Sequence, residues 1–98
     1  MTPTTLAISA ATDPAPPPYL GGTLQALWCD RRGDWDRAHT LVAEDDSPEA
    51  AWVHAYLHRR EGDAANARHW YRRAGKPAGT GPLDAEWEEI AAALLAAG

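Results

Sequence analysis

Apolar residues recur at intervals of three and four along most of the chain, and this spacing predicts helices rather than strands. Glycine, proline, serine and aspartate, the residue types that start and stop helices, lie between the apolar stripes. On this pattern we expect five helices, at about residues 24–32, 35–44, 48–61, 64–74 and 83–96. The sequence therefore predicts an all-α fold.

A Gly-Asp pair separates neighbouring helices at two places, Gly33-Asp34 and Gly62-Asp63. Glycine suits the left-handed position after a helix, and aspartate can accept a hydrogen bond from the first turn of the next helix. Shifting the chain to superpose the two pairs also brings the neighbouring apolar stripes into register. This internal repeat predicts two similar helix–turn–helix hairpins, with the last helix capping them.

The third predicted helix, residues 48–61, is apolar on almost every side, which is typical of the most buried helix in a fold. One sector is the exception, because His54, His58 and Glu61 share it. We therefore expect polar, ionisable side chains close to the core.

Residues 1–20 are expected to form a disordered, proline-rich tail. Five of the eight prolines lie there among small polar residues, and such a segment buries too little apolar surface to order itself. Residues 21–98 then form a single helical domain of a size that needs no disulfide.

The net charge of -5 argues against a nucleic-acid-binding protein. The charge is unevenly distributed, because residues 51–76 carry six basic and two acidic side chains while residues 77–98 carry four acidic and no basic ones. These segments could neutralise one another within the fold or between subunits. Alternatively, the basic segment could bind an anion or an acidic partner.

The single cysteine, Cys29, excludes an intrachain disulfide and favours a reducing compartment. No apolar run is long enough to span a membrane, and the N-terminus lacks the pattern of a secretory signal. We therefore expect a cytoplasmic protein that does not bind membranes.

The repeat resembles the tetratricopeptide and Sel1-like families over about residues 22–77. The residues that carry the resemblance are Gly62, Ala67, Tyr71 and Ala74, and in the first copy Gly33, Ala38 and Val42. The chain departs from that pattern in its shorter spacing and its two copies. It also resembles a group of short, uncharacterised bacterial proteins through the strings WDRAH, HAYLHRREGD and HWYRRAG. The resemblances imply a helical-repeat architecture and no particular chemistry.

The candidate site is centred on His54 and His58, whose four-residue spacing lets one helix face supply two ligands to a metal ion. Glu61 is placed to be a third ligand or a proton acceptor, and His39 joins the group if the second and third helices are neighbours. The pattern is not the HExxH arrangement of zinc proteases. Buried histidines that hydrogen-bond between helices, a polar ligand or catalytic pocket, and a metal site therefore remain alternatives.

Four further residues are candidates for ligand binding. Arg68 and Arg72 share a helix face and could hold a phosphate or carboxylate, although a solvated face is the alternative. Trp70 and Tyr71 could form a stacking platform, although aromatic residues at this spacing are more often core side chains.

The sequence contains no complete catalytic set and no phosphate-binding glycine loop. We therefore expect a small helical-repeat interaction module without catalytic activity or cofactor, which binds a protein partner or forms a homodimer. The alternative hypothesis is a small enzyme, or a protein that binds a divalent metal or an anionic ligand, built on His54, His58 and Glu61.

Overall fold

The computed structural model describes residues 1–97 and contains six helices there. In chain order these are α1 (Pro3–Thr12), α2 (Gly22–Arg31), α3 (Trp35–Val42), α4 (Pro48–Glu61), α5 (Ala64–Ala74) and α6 (Leu83–Ala97). Since no strand occurs in this part of the chain, the predicted all-α class is confirmed, with six helices instead of about five.

The prediction of a disordered tail is wrong for residues 3–12, which form α1. Thr2 caps this helix by accepting a hydrogen bond from the Thr5 amide, and Pro3 occupies the first helical position, where proline is favoured. Leu6 is completely buried against the core. The Ser9 hydroxyl accepts a hydrogen bond of 3.0 Å from the Trp28 indole, so α1 is attached to α2 by polar and apolar contacts.

The two Gly-Asp turns have the same conformation. Gly33 and Gly62 have φ angles of 94° and 91°, in the left-handed region that glycine adopts without strain. The carboxylates of Asp34 and Asp63 each accept a hydrogen bond from the backbone amide of the third residue of the next helix. These turns fold α2 against α3 and α4 against α5.

The central helix is α4, which packs against α2, α3, α5 and α6. All nine residues from 50 to 58 are buried, including both histidines. The large side chains around it include Leu27, Trp87 and Ile90, and the Trp87 indole donates a 3.0 Å hydrogen bond to the Leu27 carbonyl. The helix that is apolar on nearly all sides is therefore the central, buried helix, as the sequence predicts.

Two buried carboxylates connect α4 to its neighbours. Asp30 of α2 accepts a hydrogen bond of 3.1 Å from the Tyr56 hydroxyl. The Nε of Arg60 lies 3.2 Å from the other carboxylate oxygen, an ion-pair contact without the alignment of a hydrogen bond. Burial raises the pKa of Asp30, and the positive charge of Arg60 opposes that shift.

Glu86 of α6 is the second buried carboxylate. It accepts hydrogen bonds from Arg59 of α4, at 2.7 Å, and from the hydroxyl of Tyr71 of α5. Arg59 also donates to the Gly81 carbonyl, so the loop before α6 is held in the same network. One carboxylate thus connects three helices.

None of the six helices is long and apolar enough to cross a membrane, as far as the described residues extend.

If α1 is part of the fold, Leu6→Ala should lower the free energy of unfolding by about 2–5 kcal/mol, the usual cost of emptying a fully buried leucine site. The matched control is Ile8→Ala, because Ile8 lies in the same helix and is 56% exposed; its change should stay within about 0.5 kcal/mol. Urea denaturation measures both. Equal, small effects would show that α1 does not stabilise the domain.

Candidate functional site

Three histidines from two helices meet beside α4. His54 and His58 lie one turn apart on α4, and His39 of α3 faces them. The Nε2 atoms of His39 and His54 are 3.0 Å apart, and one ligand nitrogen from each of the three rings lies within 4.8 Å of the others. We call His39, His54 and His58 the histidine cluster.

Two tryptophans form the walls of the histidine cluster. The ring of Trp35 stacks on His39, with centroids 4.9 Å apart, and the ring of Trp70 stacks on His54 at 3.9 Å. The Trp35 indole also donates a hydrogen bond of 2.8 Å to the Leu57 carbonyl. Because both imidazoles are held flat against aromatic faces, their orientation is fixed by packing.

Glu61 orients the third ring. Its carboxylate lies 2.6 Å from Nδ1 of His58, one turn away on the same helix. A carboxylate at this distance accepts the proton on Nδ1, so that Nε2 is the nitrogen left with a free lone pair. Glu61 therefore acts on the cluster through His58.

Burial lowers the pKa of two of the three histidines in the cluster. The pKa of His54 falls to about 4, mainly because burial disfavours the charged ring and secondarily because His39 and His58 would repel a charge there. Burial, followed by repulsion from His58, also lowers the pKa of His39. At neutral pH these imidazoles present lone pairs rather than positive charges.

Nδ1 of His54 is buried and has no hydrogen-bond partner within residues 1–97. Its other nitrogen faces only another imidazole, and two neutral rings in contact can share one proton at most. Buried polar atoms are nearly always paired, and an unmade hydrogen bond costs about 1–3 kcal/mol. The histidine cluster is therefore incompletely satisfied by the protein alone.

The predicted residues divide into three groups in the structure. His39, His54, His58, Glu61 and Trp70 are brought together as described. Arg68 and Arg72 lie on the exposed face of α5, away from the core. Tyr71 points elsewhere, because its hydroxyl donates to Glu86. Tyr71 is thus a core residue with a buried hydrogen bond and lies outside the cluster.

Trp35 belongs to this site and is not among the candidate residues predicted from the sequence. It lies four residues before His39 on α3, and residues at that spacing share a helix face. The spacing alone could have indicated a Trp35–His39 contact.

Two clefts of the surface lie away from the histidine cluster. One, of about 170 Å³, lies between the start of α4, the end of α5 and the end of α6, and Trp52 and Leu94 line it. Another, of about 320 Å³, lies between Tyr19, Leu24 and α6. The histidine cluster adjoins neither of these clefts.

No protein-family model matches this chain, and no curated protein or solved structure is significantly similar to it. Only the geometry of the chain's own residues therefore bears on its function.

In the metal-free protein, stability should fall as the pH drops from about 6.5 to about 4. The folded-state pKa of His54, about 4, is below the unfolded value of 6.5, so the unfolded state binds more protons in this window. The free energy of unfolding should fall by about 3 kcal/mol through protonation of His54, and the full contribution of His54 is present above pH 6.5.

Urea denaturation in EDTA at several pH values measures this dependence. His54→Gln should flatten the slope between pH 6.5 and 4 whatever it does to stability at pH 7, and the exposed His69→Gln serves as the control. The same slope in wild type and His54→Gln would contradict the expectation.

Proposed function

We propose that this protein binds one divalent transition-metal ion, with Zn²⁺ as the best fit, at the histidine cluster. The observation that supports the proposal is the approach of ligand nitrogens from three imidazoles on two helices to within 4.8 Å of one another. Zinc–imidazole bonds of about 2.0–2.1 Å in a tetrahedral site imply ligand nitrogens about 3.4 Å apart. The observed 3.0 Å between His39 and His54 is close to that value.

The environment of the ligands also supports the proposal. A ligating histidine almost always donates its other ring proton to a carboxylate, a backbone carbonyl or water, which fixes the tautomer and makes the ring a better ligand. Glu61 occupies this position on His58. Metal binding also requires deprotonated imidazoles, and the lowered pKa values of His39 and His54 meet that requirement at neutral pH.

The three ligands would join parts of the chain that are distant in sequence. His39 belongs to the α2–α3 hairpin, and the other two belong to the α4–α5 hairpin. A bound ion would replace the His39–His54 contact with bonds from all three rings. We therefore expect the ion to hold the hairpins together in a structural or metal-sensing role.

Thermal unfolding with and without Zn²⁺ tests the proposal. Zinc at about 100 times its Kd should stabilise the protein by about 2.7 kcal/mol, which raises Tm by about 10 °C or more in a domain of this size. Titration calorimetry should give one zinc per chain. His39→Gln, a change at the half-buried member of the cluster, should abolish the effect.

Two further variants separate a built site from adventitious binding. Glu61→Gln should weaken zinc binding about 10- to 100-fold while leaving all three ligands in place. His69→Gln removes the one histidine outside the cluster and should bind zinc like wild type. Zinc binding that survives His39→Gln, or that is lost in His69→Gln, would refute the proposed site.

A second candidate function is the interaction module predicted from the sequence, a short helical repeat of two hairpins with α6 as its cap. The matching φ angles of Gly33 and Gly62 and the matching caps at Asp34 and Asp63 support a duplicated hairpin. The exposed arginines of α5 support a charged partner surface. This function is compatible with a metal ion at the histidine cluster, because the ligands lie on α3 and α4 while the arginines lie on the exposed face of α5.

A further inference from the structure

Two exposed faces of opposite charge lie on neighbouring segments of the chain. The segment from α5 to Lys76 carries four basic and no acidic side chains, and α6 carries four acidic and no basic ones. We call Arg68 and Arg72 the basic face, and Asp84, Glu88 and Glu89 the acidic face.

The basic face is not neutralised by the fold. Helix α5 packs its buried side on α4, and Arg68 and Arg72 point outward. Within residues 1–97 the arginine ion pairs involve Arg31, Arg59 and Arg60, and neither residue of the basic face takes part in one. The internal neutralisation suggested by the sequence therefore does not extend to this face.

The acidic face is also available. Glu86, which the Arg59 pair neutralises, is turned inward and is not part of it. Asp84 contacts Arg31, yet its side chain remains 77% exposed, so it can accept a further donor. Glu88 and Glu89 are exposed, and no ion pair in the described chain involves them.

We propose that the basic face of one copy of this chain docks on the acidic face of a second copy. Arg68 and Arg72 are four residues apart, as are Asp84 and Glu88, so both pairs span a rise of about 6 Å along their helices. Two guanidinium groups can therefore meet two carboxylates in register, with the planar geometry that favours paired hydrogen bonds.

A second copy fits the basic face better than a polyanion such as a nucleic acid. The net charge of -5 repels a polyanion along its whole length, whereas a second copy presents a short acidic row of matching spacing. The copies also repel each other through their net charge. At an ionic strength of about 0.1 M, however, the Debye length of about 10 Å screens that repulsion, and contacts at ion-pair distance persist.

This proposal rests on the interaction-module function and names its partner, and it is independent of the histidine cluster. Light scattering coupled to size-exclusion chromatography, in EDTA, measures the average mass of the protein in solution. At about 0.1 M salt the average mass should rise with protein concentration toward twice the monomer mass, and at about 1 M salt it should return to the monomer value.

Charge reversal on each face provides the decisive test. Arg68→Glu/Arg72→Glu and Asp84→Arg/Glu88→Arg should each be monomeric alone, because equal charges then face each other. An equimolar mixture of the two should associate again, since the reversed faces are complementary in trans. Glu44→Arg/Asp46→Arg changes the net charge by as much as Asp84→Arg/Glu88→Arg, in the loop before α4, and should associate at least as well as wild type.

Three outcomes would overturn the proposal: a monomer at every salt and protein concentration, association that survives either reversal, or failure of the mixture to associate. Binding of a polyglutamate peptide distinguishes failure of the second-copy proposal from failure of the interaction-module function. Binding of this peptide by a strictly monomeric wild type, lost in Arg68→Glu/Arg72→Glu, would refute the second copy and retain an interaction surface. If the wild type neither self-associates nor binds the peptide, the interaction module on this face is refuted as well.

Discussion

The structure depends on the burial of α4 over nine consecutive residues. A helix enclosed on all sides must supply a partner for every polar side chain that it carries, because an unpaired polar group away from water is costly. Tyr56 meets this demand with Asp30, and Arg59 meets it with Glu86. The polar contacts of the neighbouring helices are thus arranged around one buried helix.

His54 is the place where this demand is not met. The ring is clamped by Trp70 and faces His39, but Nδ1 has no partner among the described residues. A water molecule can compensate such an atom, whereas an ion bound at Nε2, the nitrogen that faces His39, would leave Nδ1 unpaired. The same enclosure that buries the helix also lowers the pKa values of His39 and His54, whose imidazoles are ligands that zinc accepts.

Much of the fold could be predicted because its signals are local. The Gly-Asp turns and the Ser47-Pro48 start of α4 each act within one turn of helix. Helix α1 is not predicted because the proline content of residues 1–20 indicates disorder, although Thr2-Pro3 is a helix start and the buried Leu6 and Ala10 lie one helical turn apart. The His54–His58–Glu61 sector was readable from the sequence, whereas the approach of His39 required the packing of α3 on α4.

The stacked indoles have a consequence for spectroscopy. Trp35 and Trp70 lie in contact with imidazole rings, while the other three tryptophans pack elsewhere. A protonated imidazole quenches the emission of an indole in contact with it by accepting an electron, so the light from these two rings depends on the charge of His39 and His54. The chain thus contains an intrinsic optical reporter of its own interior, which needs no attached dye.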